Sequence, residues 1–231
     1  MMVWQLNFQS DGFEAIALGI AAIVFGVGVL NAYNFMDGIN GMLTLHCLLV
    51  LASMLYLNET LVDLEGHRIS FTDSHFLLGI MVPMAIFGFF NIRNRALAFI
   101  GDVGSIGIAF IILFLMYNLL ITTGNYTYLL LFSVFGADAG LTVIYKLILR
   151  ENIFVPHRDF LFKKLVHLKK IPHLIVSVMY FSVQMIINLI VIFSMPKAPK
   201  LSTQLSVLFM TAISLIALYI YVQTTTAKRR A

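Results

Sequence analysis

Long apolar runs separated by short polar stretches dominate this chain. Seven of them approach or reach the roughly 20 residues that an α-helix needs to cross a bilayer, at about 13–34, 40–57, 75–91, 98–120, 127–148, 172–195 and 202–223. The runs are continuously apolar and lack the alternation of a membrane barrel strand, so helices are expected. The pattern predicts an all-α, polytopic membrane helix bundle. It forms one integral-membrane domain over 1–231, with 149–171 as a polar loop between spans. No repeat, low-complexity tract or soluble domain interrupts the series. The first residues lack a basic region and a small-residue cleavage site, so no signal peptide is expected.

Composition makes the bilayer the main solvent. Hydrophobic residues are 60% of the chain and charged residues 11%, against about a quarter charged in an ordinary soluble domain. The mean hydropathy is +0.94. The single cysteine, Cys47, lies inside an apolar run, which leaves neither a disulfide framework nor a thiolate metal site. The net charge of +4 sits beside the spans without interleaved aromatics, so membrane lipids rather than nucleic acid are the expected partners.

The loops set the orientation. The side that holds Asp37 also receives Arg93, Arg95, Lys146, Arg150, Arg158, Lys163, Lys164, Lys169, Lys170, Lys228, Arg229 and Arg230, twelve of the 15 Lys and Arg residues. The other side keeps Arg68, Lys197 and Lys200, with Glu59, Asp63, Glu65 and Asp73 in its 58–74 loop. The Asp37 side is therefore expected to be cytoplasmic. An odd number of spans then places the N-terminus outside.

Three polar clusters fall on that side. In the first, Asn31, Asn34, Asp37 and Asn40 recur every third residue and share a face in a helical or 3₁₀-like segment. Such a stripe at the end of a span is costly unless its groups meet each other or a ligand. Gly38 and Gly41 allow a turn or a close helix approach. The second runs from Asn91 through Arg93 and Arg95 to Gly101-Asp102-Val103-Gly104-Ser105. A carboxylate bracketed by glycines at a helix start is a hard oxygen ligand suited to Mg²⁺, beside backbone N–H groups that can hold phosphate. Arg93 and Arg95 suit either phosphate neutralisation or topology anchoring. The third is the 150–170 loop with Pro156, His157 and Arg158, which alone would fit a basic segment lying on anionic headgroups. Asp138, mid-span, is either functional or paired within the bundle. His46, His67 and His75 have no partners at ligand spacing and are read as structural.

At these residues the sequence resembles the polyprenyl-phosphate N-acetylhexosamine-1-phosphate transferases. These bacterial inner-membrane enzymes are similar to phospho-MurNAc-pentapeptide translocase, and they include the initiators of O-antigen and teichoic acid synthesis. The run from Asn31 to Gly41 resembles the family's Asn-Ala-x-Asn-x-x-Asp-Gly-x-Asp/Asn-Gly motif. Gly101–Ser105 matches Gly-Asp-x-Gly-Ser. Asp138 to Arg150 resembles its Asp-bearing helix with a basic end, and His157-Arg158 the His-Arg of its cytoplasmic sugar-nucleotide loop. Two departures stand out. Phe160 replaces the second histidine of that loop, and no adjacent Asp-Asp pair is present. The missing pair and the odd span count lead us to expect a chain that lacks its front, through gene disruption, a misassigned start or a split gene.

The resemblance implies transfer of N-acetylhexosamine-1-phosphate from a UDP-sugar such as UDP-GlcNAc to undecaprenyl phosphate, releasing UMP. That reaction initiates a cell-envelope polymer such as lipopolysaccharide, on the cytoplasmic face of the bacterial inner membrane. Mg²⁺, with Mn²⁺ as an alternative, would sit on Asp102. The implied catalytic residues are Asp37, Asp102 and His157; Asn31, Asn34, Asn40, Arg93, Arg95 and Arg158 would bind substrate. A homodimer is compatible with this reading. Without the Asp pair, little activity is expected of this polypeptide alone. The alternatives are an inactive homologue or one part of a split enzyme, a small transporter with Asp138 as its coupling acid, and a plain scaffold. No internal symmetry supports the transporter, and a scaffold leaves the polar stripe unexplained.

Overall fold

The computed structural model describes residues 12–63, 65–148, 150, 160–194 and 199–227. The order is α1 (Gly12–Met36), α2 (Met42–Thr60), α3 (Ser74–Asn91), α4 (Gly101–Thr123), a 3₁₀ segment (Tyr126–Phe132) running into α5 (Ser133–Ile148), α6 (Leu161–His167), α7 (His173–Ser194) and α8 (Leu201–Ala227). Seven helical stretches are long and apolar enough to cross a membrane, and no strand occurs among the described residues. The expected all-α membrane bundle is thus the observed one.

Helix α2 is the hub. It packs on α3 and α7, with smaller contacts to α1, α4 and the 3₁₀ segment. Met42, Leu43, Cys47, Val50, Leu51 and Met54 along it are buried. Helix α1 lies against α4 and α5, and α8 against α5, α6 and the 3₁₀ segment. Large apolar side chains stay exposed on the outer faces, among them Ile23 and Val24 of α1, Phe110 and Phe114 of α4, and Phe209 and Met210 of α8. Such faces would be a liability in water, but in hydrocarbon they need no cover.

Two features differ from the expected spans. The fifth opens as a 3₁₀ segment and turns α-helical only at Ser133. A change of helix type strands backbone groups that lipid cannot satisfy. Buried Gln184 of α7 meets them: its Oε1 accepts from Val134 N at 2.9 Å, and its Nε2 donates to the Leu130 carbonyl at 2.8 Å. At the other end of the segment Gln204 accepts from Tyr126 N and donates to the Pro199 carbonyl. The second difference is α6, a two-turn helix within the stretch expected to be loop.

Candidate active site

The C-terminus of α1, the N-terminus of α4, the 91–100 connection, α6 and the start of α7 meet at one end of the bundle. The contacts that join them run through the polar stripe. Asn34, in the last turns of α1, points its amide at α4. Its Nδ2 donates to Asp102 Oδ1 at 2.9 Å and to Ser105 Oγ at 3.0 Å, and Ser105 Oγ donates to the Asp102 carbonyl at 3.1 Å. Asp37 follows α1 and accepts from Gly101 N at 3.2 Å. That bond needs Gly101: its φ of 71° turns the chain into α4 through the left-handed region, where a side chain would be strained. Asp37 and Asp102, 65 positions apart, are thereby brought together at the α1/α4 end of the bundle, with Asp102 exposed and Asp37 half-buried.

Two carboxylates this close repel each other. Burial pushes the Asp37 carboxyl up to about 6; the N–H groups of Gly101 and Ile100 pull it down, and the Asp102 charge raises it further. The ligands here are the two hard-oxygen carboxylates; Asn34 presents its Nδ2 rather than its carbonyl oxygen, and the buried Ser105 Oγ is engaged between Asn34 and the Asp102 carbonyl. That set fits Mg²⁺ and would not suit a thiophilic metal. Of the two carboxylates, Asp102 is the outward-facing one.

The remaining stripe residues divide. Asn31 is exposed one turn below Asn34. Asn40 is buried and acts as a brace. Its Nδ2 donates to the carbonyls of Arg93 and Asn94 at 2.8 and 3.1 Å, and its Oδ1 lies 3.3 Å from His173 Nδ1. Asn91, equally buried, accepts from Gly41 N and Thr44 Oγ1 and donates to the Ala98 carbonyl. These two amides hold the 91–98 connection against the turn at Gly38–Gly41. Arg93 is folded onto the end of α3: its Nε donates to the Phe89 carbonyl at 2.7 Å and its guanidinium lies over the Phe89 ring. Arg95 is exposed. His157 and Arg158 lie outside the described residues.

Position and spacing in the sequence did not single out α6. A methyl group on Gly38 would stand 3.2 Å from the Phe162 ring and 3.5 Å from Lys163 Cε, so the glycine lets α6 lie on the turn beside Asp37. Phe160 is buried and packs its ring on Phe35 and Phe162. Asp138 is paired rather than vacant. It accepts from Leu161 N at 2.8 Å, Phe162 N at 3.4 Å, Tyr180 Oη at 2.7 Å and Thr142 Oγ1 at 3.4 Å. His46 is a core residue stacked on Phe135 and bonded to Tyr33 Oη. His67, expected to lack partners, has Asp63 and Glu65 within 3.5 Å. The sequence spacing hid this because a tight turn folds Asp63 back onto His67 N. All three are solvent-facing, where such side-chain contacts contribute little.

Residues 6–120 match the family described as glycosyl transferase family 4. The match takes in the whole stripe, the 91–98 connection and Gly101–Ser105, while Asp138 and α6 lie beyond it. No curated protein matches the chain.

Proposed function

The chain belongs to glycosyl transferase family 4, whose members are polyprenyl-phosphate hexosamine-1-phosphate transferases, and from that premise we propose that it binds a UDP-N-acetylhexosamine for transfer of the sugar 1-phosphate to undecaprenyl phosphate. In that reaction an oxygen of the lipid phosphate forms a bond to the sugar-bearing phosphorus. The diphosphate bond to the uridine phosphate breaks, and UMP leaves. The product is a lipid-linked sugar diphosphate that begins a cell-envelope polymer such as lipopolysaccharide. The place is the cytoplasmic face of a bacterial inner membrane, the face that twelve of the chain's 15 cationic residues favour.

The observation that carries this reading is the convergence of Asn34, Asp37, Asp102 and Ser105 at one bundle end. Donor and acceptor are both anions, so the site must neutralise and align them more than it must supply covalent chemistry. Asp102 would hold Mg²⁺, or Mn²⁺, with Asp37 beside it. A divalent ion bound there would offset diphosphate charge and stabilise the departing UMP. Asn34 fixes the Asp102 carboxylate, and Asn31, exposed one turn below it, would bind the nucleotide or sugar. His157 and Arg158 would contact phosphate or sugar from the loop, and exposed Arg95 adds cationic charge at the rim. Arg93 and Asn40 contribute through the backbone that they brace.

The test is UMP release from UDP-GlcNAc, with Mg²⁺ and undecaprenyl phosphate, by the purified 231-residue chain in nanodiscs. Donor binding is measured on the same sample. Magnesium-dependent binding is expected; its absence would remove the proposal. Binding without UMP release would favour a second reading, in which the chain holds the donor and another polypeptide completes the site. The exposure of Asn31 and Asp102 along the α1/α4 flank supports that reading.

The raised Asp37 carboxyl gives a second expectation. An acid lifted to about 6 is protonated below that pH and charged above it. Cation binding must displace its proton, so apparent Mg²⁺ affinity should climb about tenfold per pH unit up to pH ~6 and level off by pH ~7. A titration that is flat from pH 5 to 7 would remove Asp37 from the ion's surroundings.

A further inference from the structure

We propose that His173, at the start of α7, is a positioning residue for donor binding: it holds the Asn40 amide, and that amide fixes the 91–98 connection that carries Arg95. The inference rests on the donor-binding reading above. It adds to it a residue outside both the polar stripe and the family match, which ends at residue 120.

The bonding of Asn40 is the first support. Its side chain is buried, and its Nδ2 donates to two main-chain carbonyls, those of Arg93 and Asn94. A carbonyl only accepts, so the amide nitrogen must face the connection and Oδ1 must face α7. There Oδ1 meets His173 Nδ1 at 3.3 Å. An amide oxygen also only accepts, so Nδ1 carries the proton, in neutral and protonated imidazole alike. Without that donor a buried oxygen is left unsatisfied, and the amide or the connection must shift to relieve it.

The grip of α7 on the same turn is the second support. His173 and Ser177 lie one turn apart on one helix face. Buried Ser177 Oγ donates to the Asn40 carbonyl at 2.7 Å, so one helix face holds both the side chain and the main chain of residue 40. Leu174 stands against the next residue: a methyl group on Gly41 would lie 3.3 Å from its Cδ2 and 3.7 Å from two carbons of Ile92. Gly41 N in turn donates to Asn91 Oδ1, so turn and connection are tied from both sides.

Arg95 receives the effect. It is exposed, one residue beyond the Asn94 carbonyl that Asn40 holds. A cation that grips a phosphate gives up conformational freedom, and a backbone already fixed leaves less to give up. Asp37 and Asp102 are set by other bonds, from Gly101 N and Asn34 Nδ2. His173 should therefore act on the donor and leave the ion's ligands alone.

The experiment measures two affinities of the full chain in nanodiscs: UDP-GlcNAc with Mg²⁺ present, and Mn²⁺ alone by its electron paramagnetic resonance signal. His173→Leu should weaken donor binding roughly five- to tenfold and change Mn²⁺ affinity by less than about twofold. His173→Asn, whose Nδ2 can stand where Nδ1 does, should restore most of the donor affinity. Arg95→Gln should cost about tenfold in wild type and at most two- to threefold in the His173→Leu background. If His173→Leu does not fold, Ser177→Ala, which removes only a hydroxyl, takes its place. Equal donor affinity in His173→Leu and wild type would overturn the assignment and leave the donor site standing. A parallel loss of Mn²⁺ affinity would overturn it as well, because His173 would then hold the bundle end as a whole. So would an Arg95→Gln cost that is zero in wild type or undiminished in the His173→Leu background. If wild type binds no donor and Asp102→Asn changes nothing, the donor reading and this inference fall together.

Discussion

Asp102→Asn should reduce Mg²⁺-dependent binding of UDP-GlcNAc by roughly two orders of magnitude, with UMP release falling at least as far wherever it is measurable. The substitution is close to isosteric. An Asn carbonyl can still accept from Asn34 Nδ2, now 2.9 Å from Asp102 Oδ1, and the Ser105 bond goes to the backbone carbonyl of residue 102, which does not change. Folding should therefore survive, and only the charge is lost. A neutral amide at an exposed rim is a far poorer ligand for a hard dication. The diagnostic is the contrast between a thermal midpoint within a degree or two of wild type and a collapsed magnesium response. Should affinity and magnesium dependence both remain intact, Asp102 has no part in holding the ion, and the hard-oxygen argument for this end of the bundle fails with it.

Spacing in the sequence marked the polar stripe as a face that must meet something, without saying what it meets. The seven spans could be read because each needs about twenty apolar residues and little else. The convergence of Asn34, Asp37 and Asp102 could be anticipated because polar groups at the ends of spans must meet something. What escaped was set by partners distant in sequence. Nothing in Tyr126–Phe132 announces a 3₁₀ segment; it exists because Gln184, over fifty positions away, satisfies Leu130 and Val134. Helix α6 lacks a capping residue and depends on Asp138, and Asn40, chosen as a ligand by its place in the stripe, spends its amide on the 93–94 carbonyls. Periodicity shows which face a side chain shares and is silent on what lies opposite.

Gln184→Leu should be among the most damaging single changes in the transmembrane part. The leucine fits an apolar span, so any hydropathy scale would count it as neutral or better. It nevertheless strips the acceptor from Val134 N–H and a donor from the Leu130 carbonyl, and it removes the amide that donates to Asn188 Oδ1 at 2.7 Å. Asn188 in turn donates to Ser53 on α2, so the chain of bonds ties α7 both to α2 and to the 3₁₀–α5 junction. Unsatisfied buried backbone groups cost about 1–3 kcal/mol each, while side-chain bonds between membrane helices average nearer 0.6 kcal/mol. A net loss of about 2–3 kcal/mol follows, or a thermal midpoint lower by roughly 5–10 °C in detergent. Gln184→Glu, whose protonated carboxyl offers an acceptor and a single O–H where the amide has two N–H donors, should keep the Val134 bond and one of the two donations and so recover part of that loss. Because the junction carries α5, and α5 carries Asp138, donor affinity should drop with the midpoint in Gln184→Leu and return with it in Gln184→Glu. A leucine variant as stable as wild type would mean that the 3₁₀ segment satisfies its own backbone, and α5 would then need another explanation for its fixed position beneath α6.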